Sequence, residues 1–207
     1  FGASQTGAAV IINEVLYQQG STASSLNGVL EIAGHKAKLI VANPYGITVN
    51  GASFINASDV VLATGSVGTI TGNNIPFQLS VNSLTVGDND STATALSAQG
   101  LALISSQINI AGKIEADKLQ IVAHNDVATL NSGLAIGTVG TNSTNSAITT
   151  NTPLTPTRSS PFVAIDSSAL GGMYANTISL IATEAGAGVR VIGNMAALGG
   201  AITINAN

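Results

Sequence analysis

The sequence predicts an all-β fold, a parallel β-helix built from short stacked coils. Three observations carry the prediction. Apolar–polar alternation with a period of two recurs along the chain. The alternating segments fall into a repeat. The composition suits narrow coils: of 207 residues 23 are Gly, 3% are aromatic, 8% are charged, and Trp is absent. A helical bundle needs Leu, Glu, Lys and Arg at helical spacing, whereas Gly, Thr, Ser and Asn interrupt every window here. A β-sandwich is the alternative use of many short strands.

In chain order, the apolar run Leu39–Ala42 reads as a strand that ends at Asn43. Residues 75–81, Ile-Pro-Phe-Gln-Leu-Ser-Val, read as an edge strand, because Pro76 is tolerated where no ladder bond is needed. Ile108–Ile110, Leu119–Ala123, Ile178–Ala182, Val189–Val191 and Ile202–Ile204 alternate Ile, Leu, Val or Ala with polar residues. Gly, Asn or Asp bounds each of them. Ile55–Thr64, Ile114–Ala123 and Met173–Ala182 share one pattern: apolar first, Ala third, apolar sixth and eighth. Met195–Ala197 followed by Ile202–Ile204 is a looser fourth copy. The even spacing of the copies reads as three turns of a ~20-residue coil, and the whole chain as about ten coils.

Coil corners need residues tolerant of positive φ, and Asn43 and Asn125 follow apolar strand residues at such points. Two stretches break the pattern. Residues 137–161 are rich in Thr, Ser and Asn, with Pro153, Pro156 and Pro161. They read as an extra-helical excursion, loop or hairpin, that stands off the stack with little apolar surface to dock. Residues 71–99 read as a milder version. Residues 1–207 together read as a single domain.

Composition limits the chemistry. Six Lys+Arg and a net charge of −4 give no basic footprint for nucleic acid. Without Cys there is no disulfide framework and no thiolate metal site. No apolar run approaches the ~18 residues of a membrane span. Asp166-Ser167-Ser168 supplies a carboxylate and hydroxyls, but reads as a polar turn. His124-Asn125-Asp126 has metal-ligating types and reads as a solvated turn, with His35 remote in sequence. Gly87-Asp88-Asn89-Asp90-Ser91 has oxygen ligands for Ca²⁺ but lacks a distal bidentate Glu. Gly186-Ala187-Gly188 opens onto a strand, so it is no phosphate cradle. The expectation is no catalytic residue, no cofactor and no metal. Two rival functions are a free-standing β-helical adhesin or carbohydrate-binding module, and a β-helical polysaccharide-degrading enzyme.

The informative segments are Leu39-Ile-Val-Ala-Asn-Pro-Tyr-Gly-Ile-Thr-Val-Asn50 and Ala164-Ile-Asp-Ser-Ser-Ala-Leu-Gly-Gly-Met-Tyr-Ala175, with Thr183–Arg190. In these the chain resembles the N-terminal two-partner secretion (TPS) domain of filamentous-haemagglutinin, haemolysin and contact-dependent-inhibition exoproteins. The resemblance covers nearly the whole chain. It implies a right-handed parallel β-helix with extra-helical elements and an N-terminal cap. Most of that cap, and a second Asn-Pro motif belonging to it, are missing here, and the chain reads as a fragment of a much larger exoprotein.

The resemblance also implies a function. Such domains are not enzymes. They address the exoprotein to a cognate outer-membrane TpsB-type transporter through its POTRA domains, by way of the periplasm, to the surface of a Gram-negative cell. The domain is expected to be a monomer with no nucleic-acid or small-molecule partner. The family's Asn-Pro-Asn-Gly-type motif maps onto Asn43-Pro44-Tyr45-Gly46, followed by Ile47, with Tyr45 replacing the second Asn. These five residues are the expected secretion motif. Pro44 sets φ at the first central position of a turn, Gly46 is free to take φ > 0, and Asn43 bonds its own turn backbone with about one local hydrogen bond. Val49 and Ala52 stand where haemolysin relatives carry a Cys pair, so that disulfide is absent.

Overall fold

The computed structural model describes residues 7–16, 18–87, 94–139, 145–151 and 161–206. The first strands are β1 (Val10–Glu14), β2 (Ser24–Leu26), β3 (Val29–Glu31), β4 (Ala37–Ala42), β5 (Ile47–Val49), β6 (Ser53–Ile55) and β7 (Ala57–Ala63). There follow β8 (Gly65–Val67), β9 (Asn74–Leu79), β10 (Ser83–Val86), β11 (Leu96–Ser105), β12 (Gln107–Ile110), β13 (Lys113–Ala123) and β14 (Val127–Asn131). The last are β15 (Ile148–Thr150), β16 (Phe162–Ser167), β17 (Gly172–Ala175), β18 (Thr177–Ala182), β19 (Ala187–Val191), β20 (Asn194–Ala197) and β21 (Ile202–Ala206).

The chain winds as a parallel β-helix with three faces. One face stacks β2, β5, β10, β12, β16 and β19. A second runs from β3 and β6 through the first halves of β11 and β13 to β17 and β20. The third, the main face, stacks β1, β4, β7, the second halves of β11 and β13, β18 and β21, all parallel. Inside, one apolar core holds Leu39, Val60, Leu101, Leu119 and Ile178 in a column. Every strand read from period-two alternation is present within a strand of the fold.

The main face is seven strands deep among the described residues, not about ten coils. The missing turns are taken by segments that leave the stack. The even spacing of the repeat is a coincidence of these departures. Val60 reaches Leu119 across two coil steps, through Leu101, whereas Leu119 pairs directly with Ile178. The sixth and eighth positions of the pattern stack in all three copies, but the first stacks only in the last two. Ile114 is fully buried between Leu96 and Met173, while Ile55 pairs with Glu31 and is 48% exposed. A bulge opposite Lys38, after the positive-φ residue Asn56, shifts the register of that coil.

The departing segments build a four-stranded antiparallel sheet, in the order β15-β14-β9-β8. It covers the outer side of the main face. There Ile75, Phe77, Leu130 and Ile148 pack on Ile40, Val61, Ala102, Ile104 and Val122 in a second core. Strands β4 and the end of β11 are therefore buried on both sides, which is why they read as continuous apolar runs rather than alternations.

Two expectations change. β9 is an interior strand, paired with β8 and β14, not an edge. The Pro76 carbonyl accepts from the Gly68 N–H at 2.8 Å, so its missing N–H falls just beyond the end of β8, where a ladder bond is not required. Within residues 137–161, the described part does not stand off. β15 pairs with β14, and Ala147 and Ile148 are buried.

One corner is made of backbone alone. A Cβ on Gly193 would lie 1.6 Å from the Gly171 carbonyl oxygen, and one on Gly171 would lie 2.2 Å from that of Ile110. Successive coils touch there with no room for a side chain.

Candidate functional site

The turn after β4 has the conformation its residues dictate. The Gly46 N–H donates to the Asn43 carbonyl at 3.2 Å, closing a β-turn with Pro44 and Tyr45 at its centre. Gly46 has φ of 110°, and a Cβ there would press on the Ser83 carbonyl at 3.1 Å. Asn43 Oδ1 accepts from the Tyr45 N–H at 2.8 Å. That is the expected local bond, but it is one of three. Asn43 Nδ2 also donates to the Thr22 carbonyl at 3.0 Å and to Ser24 Oγ at 2.9 Å. Asn43 is 0% exposed, and Pro44, Gly46 and Ile47 are buried with it.

Neighbouring coils hold the turn from both sides. Asn82 Nδ2 donates to the Pro44 carbonyl at 2.8 Å. The half-buried Tyr45 hydroxyl donates to the Gln18 carbonyl at 2.7 Å and accepts from the Gln18 N–H at 2.8 Å. One phenol thus clamps both polar groups of one backbone residue. Tyr45, at the second central position of the turn, thereby ties the turn to the segment that carries Gln18.

A polar seam continues along this corner. Thr64 Oγ1 donates to Ser105 Oγ at 2.6 Å, and Ser105 Oγ donates to the Asn82 carbonyl at 3.2 Å. One coil on, His124 is 1% exposed, with Nδ1 2.6 Å from Thr183 Oγ1 and Nε2 2.6 Å from Asn151 Oδ1. Asn151 Nδ2 donates to Asp126, whose other oxygen accepts from Gln78 Nε2 at 3.0 Å. These bonds hold the Asp126 carboxyl below its ordinary range. The segment 124–126 is therefore no solvated turn but a latch between the coil corner and the antiparallel sheet. Both His124 nitrogens are engaged, so neither faces an open coordination position.

The remaining candidates separate. Asp166 and Ser167 alternate along β16: Asp166 pairs with Arg190, while Ser167 is fully buried. The guanidinium lowers the Asp166 pKa. Gly186 turns the chain into β19, a strand, as expected. His35 is exposed. Asp88–Ser91 lie outside the described residues. The sequence reading missed the buried Lys38–Asp59 ion pair, at 3.4 Å beneath the loop that carries Leu134. A Lys inside an otherwise apolar strand is the signal that marks it.

The comparisons with known proteins agree with this geometry. The TPS secretion domain family matches residues 2–207. A "16S rRNA endonuclease CdiA" of Enterobacter cloacae is 38% identical over 94% of this chain, and a "Toxin CdiA" of Yersinia pestis is 35% identical over 97%. The chain spans only 5% and 6% of the length of these curated relatives. Among solved structures, the crystal structure of a filamentous hemagglutinin secretion domain superposes with a TM-score of 0.66 at 26% identity. The match covers 92% of this chain and 60% of that one.

Proposed function

The chain belongs to the TPS secretion domain family, and on that premise we propose that it is the address a very long exoprotein presents to its own outer-membrane TpsB-type transporter. The transporter's POTRA domains read it during periplasmic transit, and the exoprotein goes on to the surface of a Gram-negative cell. The domain acts as a monomer and performs no chemistry. The nuclease and toxin names of the relatives describe proteins of which this chain spans about one-twentieth.

We further infer that Asn43, Pro44, Tyr45, Gly46 and Ile47 are read before the domain folds. The supporting observation is the burial of Asn43, whose amide oxygen and nitrogen are both bonded within the protein. In the folded coil a partner has no access to that side chain. In an extended chain it is available, and a strand segment adds readily to an exposed sheet edge. Low aromatic content and low charge weaken collapse residue by residue, which keeps the chain open longer. Folding then hides the address, and nearest-neighbour stacking of coils opposes return.

The test is a binding comparison with the purified POTRA domains. Unfolded chain, kept open by a core substitution such as Leu103→Asp, should bind at least as tightly as native chain. Binding by the native chain alone overturns the reading.

A further inference from the structure

Asn43, Pro44 and Gly46 are buried, whereas Asn82, which holds the turn from the following coil, is exposed. Pro44 has no N–H, so its carbonyl is the one polar backbone group it carries into the corner. That carbonyl accepts from Asn82 Nδ2 at 2.8 Å. On the preceding coil, Gln18, Thr22 and Ser24 hold Tyr45 and Asn43 through main-chain groups and a hydroxyl. On the following coil, the Pro44 carbonyl depends on an exposed carboxamide. A buried acceptor that loses its donor is costly, so loss of that carboxamide favours opening of the turn to water.

The fold uses the two halves of Asn82 separately. Its main chain belongs to the polar seam. The Asn82 carbonyl accepts from Ser105 Oγ at 3.2 Å and from Ser106 Oγ at 3.4 Å, and its N–H donates to Ser80 Oγ at 3.3 Å. Ser80 donates in turn to the Thr64 carbonyl, from its N–H at 2.9 Å and from Oγ at 3.2 Å. Thr64 and Ser80 flank the β8–β9 hairpin. The base of the hairpin thus fixes the Asn82 main chain, and the side chain reaches back to Pro44. A substitution at 82 removes the carboxamide and leaves the seam its carbonyl.

We propose, on the reading of this turn as an address recognised in the open chain, that Asn82 is its lock. The carboxamide keeps Asn43–Ile47 out of the transporter's reach in the folded domain. Its release makes the turn readable again with the rest of the fold intact. Asn82 is a positioning residue that acts through Pro44.

Two variants test the lock. Asn82→Asp keeps the shape without the donor, and Asn82→Ala removes the group. The Tyr45 and Gly46 amides, which donate to Asn43, should exchange hydrogen about five- to tenfold faster in both, with β12 and β16 unchanged. Folded Asn82→Ala chain should bind the purified POTRA domains more tightly than folded wild type by about the same factor, because apparent affinity scales with the fraction of open turn. Ile165→Ala, a core truncation remote from the turn, should gain no such binding. Unchanged exchange at Tyr45 and Gly46 overturns the lock. So does an equal gain by Ile165→Ala, or no gain by Asn82→Ala while the unfolded Leu103→Asp chain binds. Failure of the Leu103→Asp chain itself to bind overturns the reading of the turn as an address, and the lock's role falls with it.

Discussion

Asp59 occupies the space that Gly100 leaves empty: a Cβ on Gly100 would lie 2.0 Å from Asp59 Oδ1. The carboxylate lies over the neighbouring strand and meets Lys38, which is buried on the outer side of the main face. Gly100→Ala should therefore act as a break in that ion pair. Breaking a buried pair by displacing one partner costs about 3–5 kcal/mol, less here because Asp59 keeps some solvent contact. The expected loss is about 2–3 kcal/mol in urea unfolding. In a Gly100→Ala/Asp59→Ala double variant the two losses should be far from additive. Additive losses would show that the glycine acts elsewhere.

Asn43→Ala removes three hydrogen bonds from a fully buried side chain. At about 1 kcal/mol each, the expected destabilisation is about 2–4 kcal/mol, rather than the ~1 kcal/mol of a solvated turn. A domain with about 5–15 kcal/mol of stability still folds. Extracellular levels of the full exoprotein, measured with wild-type transporter, should fall steeply. A comparably destabilised variant remote from the turn, such as Ile165→Ala, should be exported. Equal export of both would return the turn to architecture alone.

Phe77→Ala should loosen the antiparallel sheet from the coil stack. Phe77 is fully buried in the outer core, and truncation of such a ring costs about 3–5 kcal/mol. Hydrogen exchange should quicken first in β8, β9, β14 and β15, with β12 and β16 still protected. Uniform acceleration across both groups would show that the two cores unfold as one.

Acid should act through Asp126. Its folded-state pKa is lowered, first by the Gln78 hydrogen bond and then by the Asn151 bond. A depressed pKa adds stability that is complete above the unfolded value, about 3.9, and is lost as pH falls through the lower folded value. Asp126→Asn should flatten the decline of thermal midpoint below about pH 4. Asp166, lowered by Arg190, contributes in the same direction and should leave a residual slope.

The alternation of Ile108-Asn109-Ile110 and of Ile178–Ala182 made the strands legible, because each faces the coil interior on one side. The turn was legible because Asn, Pro and Gly occupy the places a β-turn needs. The coil count was not, because spacing along the chain cannot tell a coil from a departure. Nor was the docking of β15, for Ala147 and Ile148 are two apolar residues in a polar stretch. Their partners Phe77 and Leu130 are distant in sequence. The same distance hid the His124 latch, which closes on Thr183 and Asn151.

The second core sets a timetable. Any chain emerging N-terminus first delivers β4 and β7 early, yet their outer side is sealed only by segments that arrive later. β9 comes soon after, but it gains its second partner with β14, and β15 completes the sheet at Thr150. Until β9 arrives Ile40 and Val61 face outward uncovered, and until β15 arrives the sheet over them is incomplete. A half-delivered domain is thus adhesive on its exterior, and the last strand of its cover arrives from the stretch that looks least like structure.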